Sequence, residues 1–299
     1  MEHKFHIPVM LKEVIGYLNL GPGKTIVDAT VGTGGHSEEI IKHIFSEGRL
    51  IGIDRDQESL EIAKSRLSPY GDACRFVYGN FSELDTLLEE LNIKKIDGVL
   101  FDLGISSFQL EDPNRGFSFQ NEGPLDMRLD RTSYISAYDL VNNLNEEEIS
   151  SLLWSFGQER WHNRIAHLLV EERGKYPIAT TSQLVNIVMR AMPSRYRYRH
   201  YRIHPATRTF QAVRIAVNRE LETLEVAIEK AVDLLDKEAR ICVISFHSLE
   251  DRVVKLSFRK LALEGKINII TPKPLTTVLA EIDANPSSRS AKLRVAQKV

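Results

Sequence analysis

With 299 residues, 42% of them hydrophobic and 27% charged, the chain has the length of one large or two ordinary domains and a globular composition. No run approaches the ~20 consecutive apolar residues of a membrane span, and Met1-Glu2-His3-Lys4-Phe5-His6 lacks the apolar core of an export signal, so the expected location is cytoplasmic. Two cysteines, Cys74 and Cys242, each inside an apolar run, exclude a disulfide framework and read as core residues; no metal-ligand cluster is present and no metal is expected. The net charge of −2 hides a segregation: from Arg173 to Arg219 there is no Asp or Glu, but ten Lys or Arg. A basic block of this kind implies a polyanion-facing surface.

From Thr25 the chain alternates short β-branched runs with amphipathic stretches. Strands are expected at Thr25–Ala29, Leu50–Ile53, Arg75–Tyr78 and Asp97–Leu103, separated by helices over Ser37–Ile44, Glu58–Leu67 and Glu83–Leu91. That rhythm requires right-handed βαβ crossovers and a parallel sheet covered on both faces. Residues 105–133 lack periodicity and read as loop. Helices then follow without strands: one capped by Asn145 and stopped at Gly157, one over Arg160–Arg173, and one over Ser182–Ala191. A long helix from Thr209 to about Leu235, a strand over Ala239–Phe246, a helix over Ser248–Leu263 and an antiparallel edge pair, Ile267–Ile270 with Leu293–Ala296, complete the pattern. The fold class is α/β: a Rossmann-like, seven-stranded, mostly parallel sheet with an antiparallel edge strand and an inserted helical subdomain. The expected division is 1–108 and 209–299 for the α/β domain and 109–208 for the insertion.

The most informative segment is Asp28-Ala29-Thr30-Val31-Gly32-Thr33-Gly34-Gly35-His36. Clustered glycines admit positive φ and close approach of a ligand, and the following helix offers its unpaired N–H groups. Asp54 closes the second strand twenty positions after Gly34, where a ribose diol lies in a doubly wound nucleotide site. A dinucleotide fingerprint asks for a third glycine where this chain has Ser37, so the loop better resembles the S-adenosylmethionine loop of Rossmann-like methyltransferases. A nicotinamide dehydrogenase is the distant alternative.

Three strand ends carry further candidates. Asp102 ends the fourth strand and is read as a contact to the cofactor's amino-acid end or to an acceptor amine, against the plainer role of a loop cap. Asn80-Phe81 follows the third strand, with an amide and a ring suited to adenine; a helix-entry staple is the other reading. His247, past the fifth strand, is a base or an RNA contact; in the other reading the segment is only a helix start, with Ser248 as cap and Glu250 and Asp251 as first-turn acids. His162, His167 and Trp154 are assigned to packing or surface.

In the basic block, Arg195, Arg197, Arg199 and Arg202 interleave with Tyr196, Tyr198 and Tyr201, followed by His204 and Arg208. Guanidiniums pair with phosphates and the rings stack on unpaired bases, so this segment is the expected RNA-binding site. The tail cations Arg289, Lys292, Arg294 and Lys298 extend that surface in a weaker reading.

Taken together, His6-Ile7-Pro8-Val9-Met10, the Gly32–His36 loop, Ile53-Asp54-Arg55-Asp56, Leu103-Gly104-Ile105-Ser106-Ser107, Arg115-Gly116-Phe117-Ser118-Phe119, Gly123-Pro124-Leu125-Asp126-Met127-Arg128, His204-Pro205-Ala206-Thr207-Arg208-Thr209-Phe210-Gln211 and Ser245-Phe246-His247-Ser248-Leu249-Glu250-Asp251 resemble the bacterial small-subunit ribosomal RNA cytosine-N4 methyltransferase family, of MraW or RsmH type. The resemblance runs nearly end to end. It implies S-adenosyl-L-methionine as cofactor, held by Gly34, Gly35, His36, Asp54, Phe81, Asp102 and Gln109. It further implies a cytosine in the decoding region as target, with small-subunit ribosomal RNA or the assembled subunit as partner. Where some amino-methyltransferases carry Asp-Pro-Pro-Tyr, this chain has Asp102-Leu103-Gly104-Ile105, so that motif's stacking mechanism is not imported. Two rival functions are a small-molecule methyltransferase with an acidic substrate and a non-catalytic RNA-binding assembly factor.

Overall fold

The structure, a computed structural model, describes residues 7–193 and 204–299. The chain divides into two compact units, residues 1–106 with 221–299, and residues 107–220. In the first unit, α1 (Leu11–Tyr17) leads into β1 (Thr25–Asp28), α2 (Gly35–Ile44), β2 (Arg49–Asp54), α3 (Gln57–Leu67), β3 (Cys74–Tyr78), α4 (Leu84–Glu90) and β4 (Ile96–Asp102). The second unit holds α5 (Ser107–Glu111), α6 (Ala137–Asn143), α7 (Glu146–Gly157), α8 (His162–Arg173), α9 (Thr181–Ala191) and α10 (Thr207–Asn218). The first unit then resumes through α11 (Glu220–Leu234), β5 (Leu235–Ser245), α12 (Ser248–Leu263), β6 (Ile267–Ile269), β7 (Leu275–Thr276), α13 (Leu279–Ala284) and β8 (Lys292–Lys298).

The sheet order is β3-β2-β1-β4-β5-β8-β6, with β7 also pairing β8. The first five strands are mutually parallel, and β8 runs antiparallel to β5, β6 and β7. Period-2 alternation explains the two covered faces. Val27, Ile51, Val99, Phe101 and Val243 face one cluster with Leu224, Ile228 and Val232 of α11; Ile26, Leu50, Leu100 and Ile244 face the other with Ile40, Ile41 and Ile44 of α2. Cys74 and Cys242 are both free and sit in the second of these clusters, as expected. Burial pushes the Cys74 thiol up to about 11 and raises Cys242 as well, so both stay protonated.

Four features depart from the expectation. The long helix from Thr209 is two helices, broken at Arg219, whose φ of 50° is left-handed although no Gly or Pro marks the spot. β5 begins at Leu235, not Ala239: Ile96 pairs Leu235 while Gly98 pairs Arg240, and the shift lets exposed Asp236, Lys237 and Glu238 bulge out. The eighth strand, β7, is two residues long and too short to show a pattern. The helical unit runs to Glu220 rather than 208, because α10 packs on α7 and α6.

The supposed loop of residues 105–133 is ordered from within. Buried Arg115 donates from Nη2 to the carbonyls of Leu129 (2.9 Å) and Arg128 (3.2 Å). Asn218 of α10 accepts from Leu129 N (2.9 Å) and donates to Met127 O (2.8 Å). Backbone groups that no regular element satisfies are thus met by side chains. Among the described residues no helix is long and apolar enough to cross a membrane.

Candidate functional site

The order of strands reverses about β1, which lies between β2 and β4, so the crevice at their carboxyl ends is where a ligand belongs in this class of sheet. Asp28 ends β1 fully buried, and its Oδ2 accepts from Ser37 Oγ (2.7 Å) while Oδ1 accepts from Thr30 N (3.3 Å). Desolvation raises the Asp28 pKa, opposed by the charge of His36 and by these two hydrogen bonds. Ser37, read from the sequence as a departure from a glycine fingerprint, is therefore the hydroxyl that fastens α2 to β1.

The three glycines differ in what they make room for. Gly34 has φ of 83°, which a side chain would strain, although a Cβ there would meet Leu67 and Ala63 of α3 only in ordinary contact. A Cβ on Gly35 would lie 3.0 Å from Pro8 Cγ, so its bare face is covered by the chain's own N-terminal segment. Only at Gly32, φ 50°, does the space stay open, the nearest atom being Thr30 O at 3.9 Å. Gly35 and His36 can still offer first-turn N–H groups of α2.

Asp54, half-buried at the end of β2, accepts from Gly32 N (2.8 Å) on Oδ2 and from Asp56 N (2.9 Å) on Oδ1. Each oxygen retains a lone pair for a hydroxyl donor. Desolvation is the main cause that lifts its pKa to about 6, against the pull of the two backbone hydrogen bonds. Phe81 lies past β3, half-buried, with its ring edge-on to Phe101 at 5.8 Å. Asn80 Oδ1 accepts from Ser82 N (3.1 Å), so that carbonyl caps the turn which presents Phe81.

Asp102 closes β4. Its N–H donates to Thr30 Oγ1 (2.6 Å), tying the strand end to the glycine loop. Carboxylate Oδ2 lies 3.4 Å from His36 Nδ1, and Oδ1 is buried with no hydrogen-bond partner among the described residues. An orphaned buried carboxylate oxygen calls for an external donor, above all a cationic one. His36 itself is buried, with Nε2 2.9 Å from Val9 O.

The remaining candidates fall elsewhere. A cap is present as the alternative reading has it, but its residue is His247 rather than Ser248: His247 is the N-cap of α12, Nδ1 accepting from Glu250 N (3.3 Å) and Nε2 lying 3.2 Å from Glu250 Oε1. Glu250 reciprocates by accepting from Phe246 N and His247 N, so Nδ1 is taken up by the cap, while the buried Nε2 makes no hydrogen bond among the described residues. Of the tail cations, Lys292 (3.3 Å) and Arg294 (2.7 Å) both bind Asp251 and so add little to a basic surface.

In the helical unit, Gln109 is buried on α5. His204 stacks on Phe119 with ring centroids 4.7 Å apart, and exposed Arg208 donates to Gln158 O (3.1 Å). Arg195, Arg197, Arg199 and Arg202 lie outside the described residues. The acid-free block is less unpaired in space than in sequence. Arg190 meets Glu172 (3.1 Å), Lys175 meets Glu171 and Glu172, and Arg214 meets Glu220 (3.0 Å). Trp154 is largely exposed, beside His162.

A model of the MraW methylase family matches residues 3–299. The chain belongs to that family. Its sheet, with β8 set antiparallel beside β5, is that of a Rossmann-like methyltransferase, as the strand pattern predicts. Among relatives, the Ribosomal RNA small subunit methyltransferase H of Geotalea uraniireducens is 48% identical over 309 residues, covering 98% of each chain. The protein of the same name from Halothermothrix orenii is 46% identical over 314 residues, covering 100% of this chain and 99% of its own. Among solved structures, an rRNA methylase from Streptococcus thermophilus aligns over 99% of each chain with a TM-score of 0.46 and 12% identity.

Proposed function

We propose that this MraW-family methylase transfers a methyl group from S-adenosylmethionine to the exocyclic N4 of a cytosine in the decoding region of small-subunit ribosomal RNA, acting in the cytoplasm. The observation that carries the donor site is the buried, partnerless Oδ1 of Asp102 beside a glycine loop open at Gly32. The residues fit the donor's chemistry. Asp54 suits a ribose diol, Phe81 suits adenine, and Gly35 and His36 offer backbone N–H groups, while Gly34, whose N–H donates to Val31 O (2.8 Å), contributes the left-handed turn that leads into them. Asp102 and Gln109 are polar partners for the amino-acid end.

When bound, the donor supplies an electrophilic methyl group on a sulfonium. Displacement of that kind rests on alignment, so the protein's contribution is to hold its partners in line and exclude water. Asp102 takes a protonated nitrogen at Oδ1, while Thr30 and His36 fix where that oxygen points. RNA specificity is assigned to the helical unit, with Arg195, Arg197, Arg199, Arg202, His204 and Arg208 as contacts to phosphates and bases. Full-length kinship to proteins named for small-subunit ribosomal RNA supports the target.

The test is direct. Small ribosomal subunits from cells lacking this protein, incubated with it and methyl-labelled donor, are expected to yield label in N4-methylcytidine. Label in another nucleoside, or none, overturns the assignment; label in a small acidic metabolite instead favours the rival methyltransferase.

A further inference from the structure

His36 stands in the first turn of α2, at the end of the glycine loop, and its side chain is turned away from solvent and into the protein. Its Nε2 is 2.9 Å from the carbonyl oxygen of Val9, an atom that can only accept, so Nε2 carries a proton. Its Nδ1 is 3.4 Å from Oδ2 of Asp102, and a carboxylate likewise only accepts. A ring that donates at both contacts carries a proton on each nitrogen. A neutral ring would turn a bare lone pair towards the Asp102 carboxylate.

The electrostatics point the same way. Burial pushes the imidazole's pKa down, but the hydrogen bond and charge of Asp102 from β4, the charge of Asp28 from β1 and the Val9 carbonyl more than offset it, leaving the pKa above the ordinary histidine value. The N-terminal segment that supplies Val9 is itself anchored. Met10 N donates to Glu281 Oε1 (2.7 Å) on α13, and Asn285 donates to Ile7 O (3.0 Å). Pro8 of the same segment covers Gly35.

We propose that His36 is a standing imidazolium and a positioning residue: clamped between the anchored Val9 carbonyl and Asp102, it captures one carboxylate oxygen and so leaves the other, Oδ1, as the acceptor for a cationic ligand. The link to the ligand rests on the reading of Asp102 as a donor contact; the protonation state does not. The role differs from that of the backbone N–H groups of the same loop, which any side chain at position 36 would preserve.

The experiment uses the full chain with ring-¹⁵N histidine. Nine histidines give resonances, and the one absent from the spectrum of His36→Gln, or displaced by Asp102→Asn if the first variant does not fold, belongs to His36. At pH 7.5, where ordinary histidines with pKa about 6.5 are neutral, His36 is expected to show a proton on each nitrogen. Asp102→Asn is expected to bring its titration midpoint down by at least about one pH unit. A bare ring nitrogen on His36 at pH 7.5 in the wild-type protein overturns the proposal.

Calorimetry with S-adenosylhomocysteine then tests positioning. His36→Gln is expected to bind about tenfold more weakly at pH 7, the scale of one charge-assisted contact. Wild-type affinity is expected to fall as pH rises through the His36 midpoint, a limb absent from His36→Gln; a purely structural role would weaken binding without removing that limb. Equal affinity of the two proteins overturns the positioning role. No binding by the wild-type protein overturns the donor-site reading, and the positioning role with it, while the imidazolium stands on its resonances.

Discussion

Asp54 combines two opposed demands. It is desolvated at a strand end, yet it must be ionised to accept from a diol, and its pKa of about 6 places the conflict within an accessible range. The contribution of Asp54 to donor affinity is therefore expected to be constant above pH 7, where any further change belongs to His36, and to fall towards pH 5, as the carboxylate takes up a proton and loses an acceptor. Asp54→Asn should flatten this limb and weaken binding by about 10- to 100-fold, the equivalent of ~1.5–3 kcal/mol for hydrogen bonds to a charged group. Calorimetric titration at several pH values checks both. For folding the same shift has the opposite sense: the native state holds the Asp54 proton more tightly than the unfolded chain, so this group's contribution to stability declines as pH rises from about 4 to 6.

Ser37 shows where residue identity alone misled. Against a dinucleotide fingerprint it counts as a mismatch, but its Oγ is 2.7 Å from the buried carboxylate of Asp28. Ser37→Ala should destabilise the protein by ~1.5–3 kcal/mol, because a desolvated anion loses a donor that water cannot replace. Denaturant melts of the two proteins read this out, and an unchanged midpoint would refute it. The signal available in sequence was a small hydroxyl residue nine positions beyond an acid at a strand end. Nothing in the spacing revealed that Pro8, rather than a ligand, lies over Gly35.

At the scale of elements, the strands were legible because burial on both faces leaves long apolar runs that few other structures share. β1 to β4 fall within a few residues of expectation for that reason. Breaks without Gly or Pro were not legible. Arg219 adopts a left-handed φ between two helices that are each continuous in pattern, and only the packing of α10 within the helical unit explains why the axis must stop there. His247 illustrates the opposite error, a chemically suggestive residue whose local geometry is ordinary. Its cap on α12 has the reciprocal bonds of a capping box. His247→Ala is expected to cost about 1 kcal/mol of stability. Its turnover per folded molecule should match the parent; a loss of several orders of magnitude in kcat would restore the histidine as a base.

For the whole molecule, the proposed function puts most donor contacts at the strand ends of the first unit and RNA contacts on the helical unit, so donor binding and RNA binding are expected to be separable. The basic block of the helical unit contains ten cations in sequence, but Arg190, Lys175 and Arg214 are spent on Glu172, Glu171 and Glu220. The arginines assigned to RNA are then Arg195, Arg197, Arg199, Arg202 and Arg208. Five phosphate contacts give a log–log dependence of affinity on salt with a slope of about −4. Replacing Arg195, Arg197 and Arg199 together by Gln should reduce that slope by about 2 to 3 and weaken RNA binding most at low salt. Donor affinity measured by calorimetry should be unchanged, since none of the three belongs to the strand ends that carry Asp54 and Asp102. Asp102→Asn should do the reverse, lowering donor affinity while the RNA salt slope stays as in the parent. Filter binding across a salt series, run beside calorimetry on all three proteins, gives two independent readings for each. If the triple variant loses donor affinity in step with RNA affinity, the two sites are not independent and the assignment of these arginines to RNA alone fails.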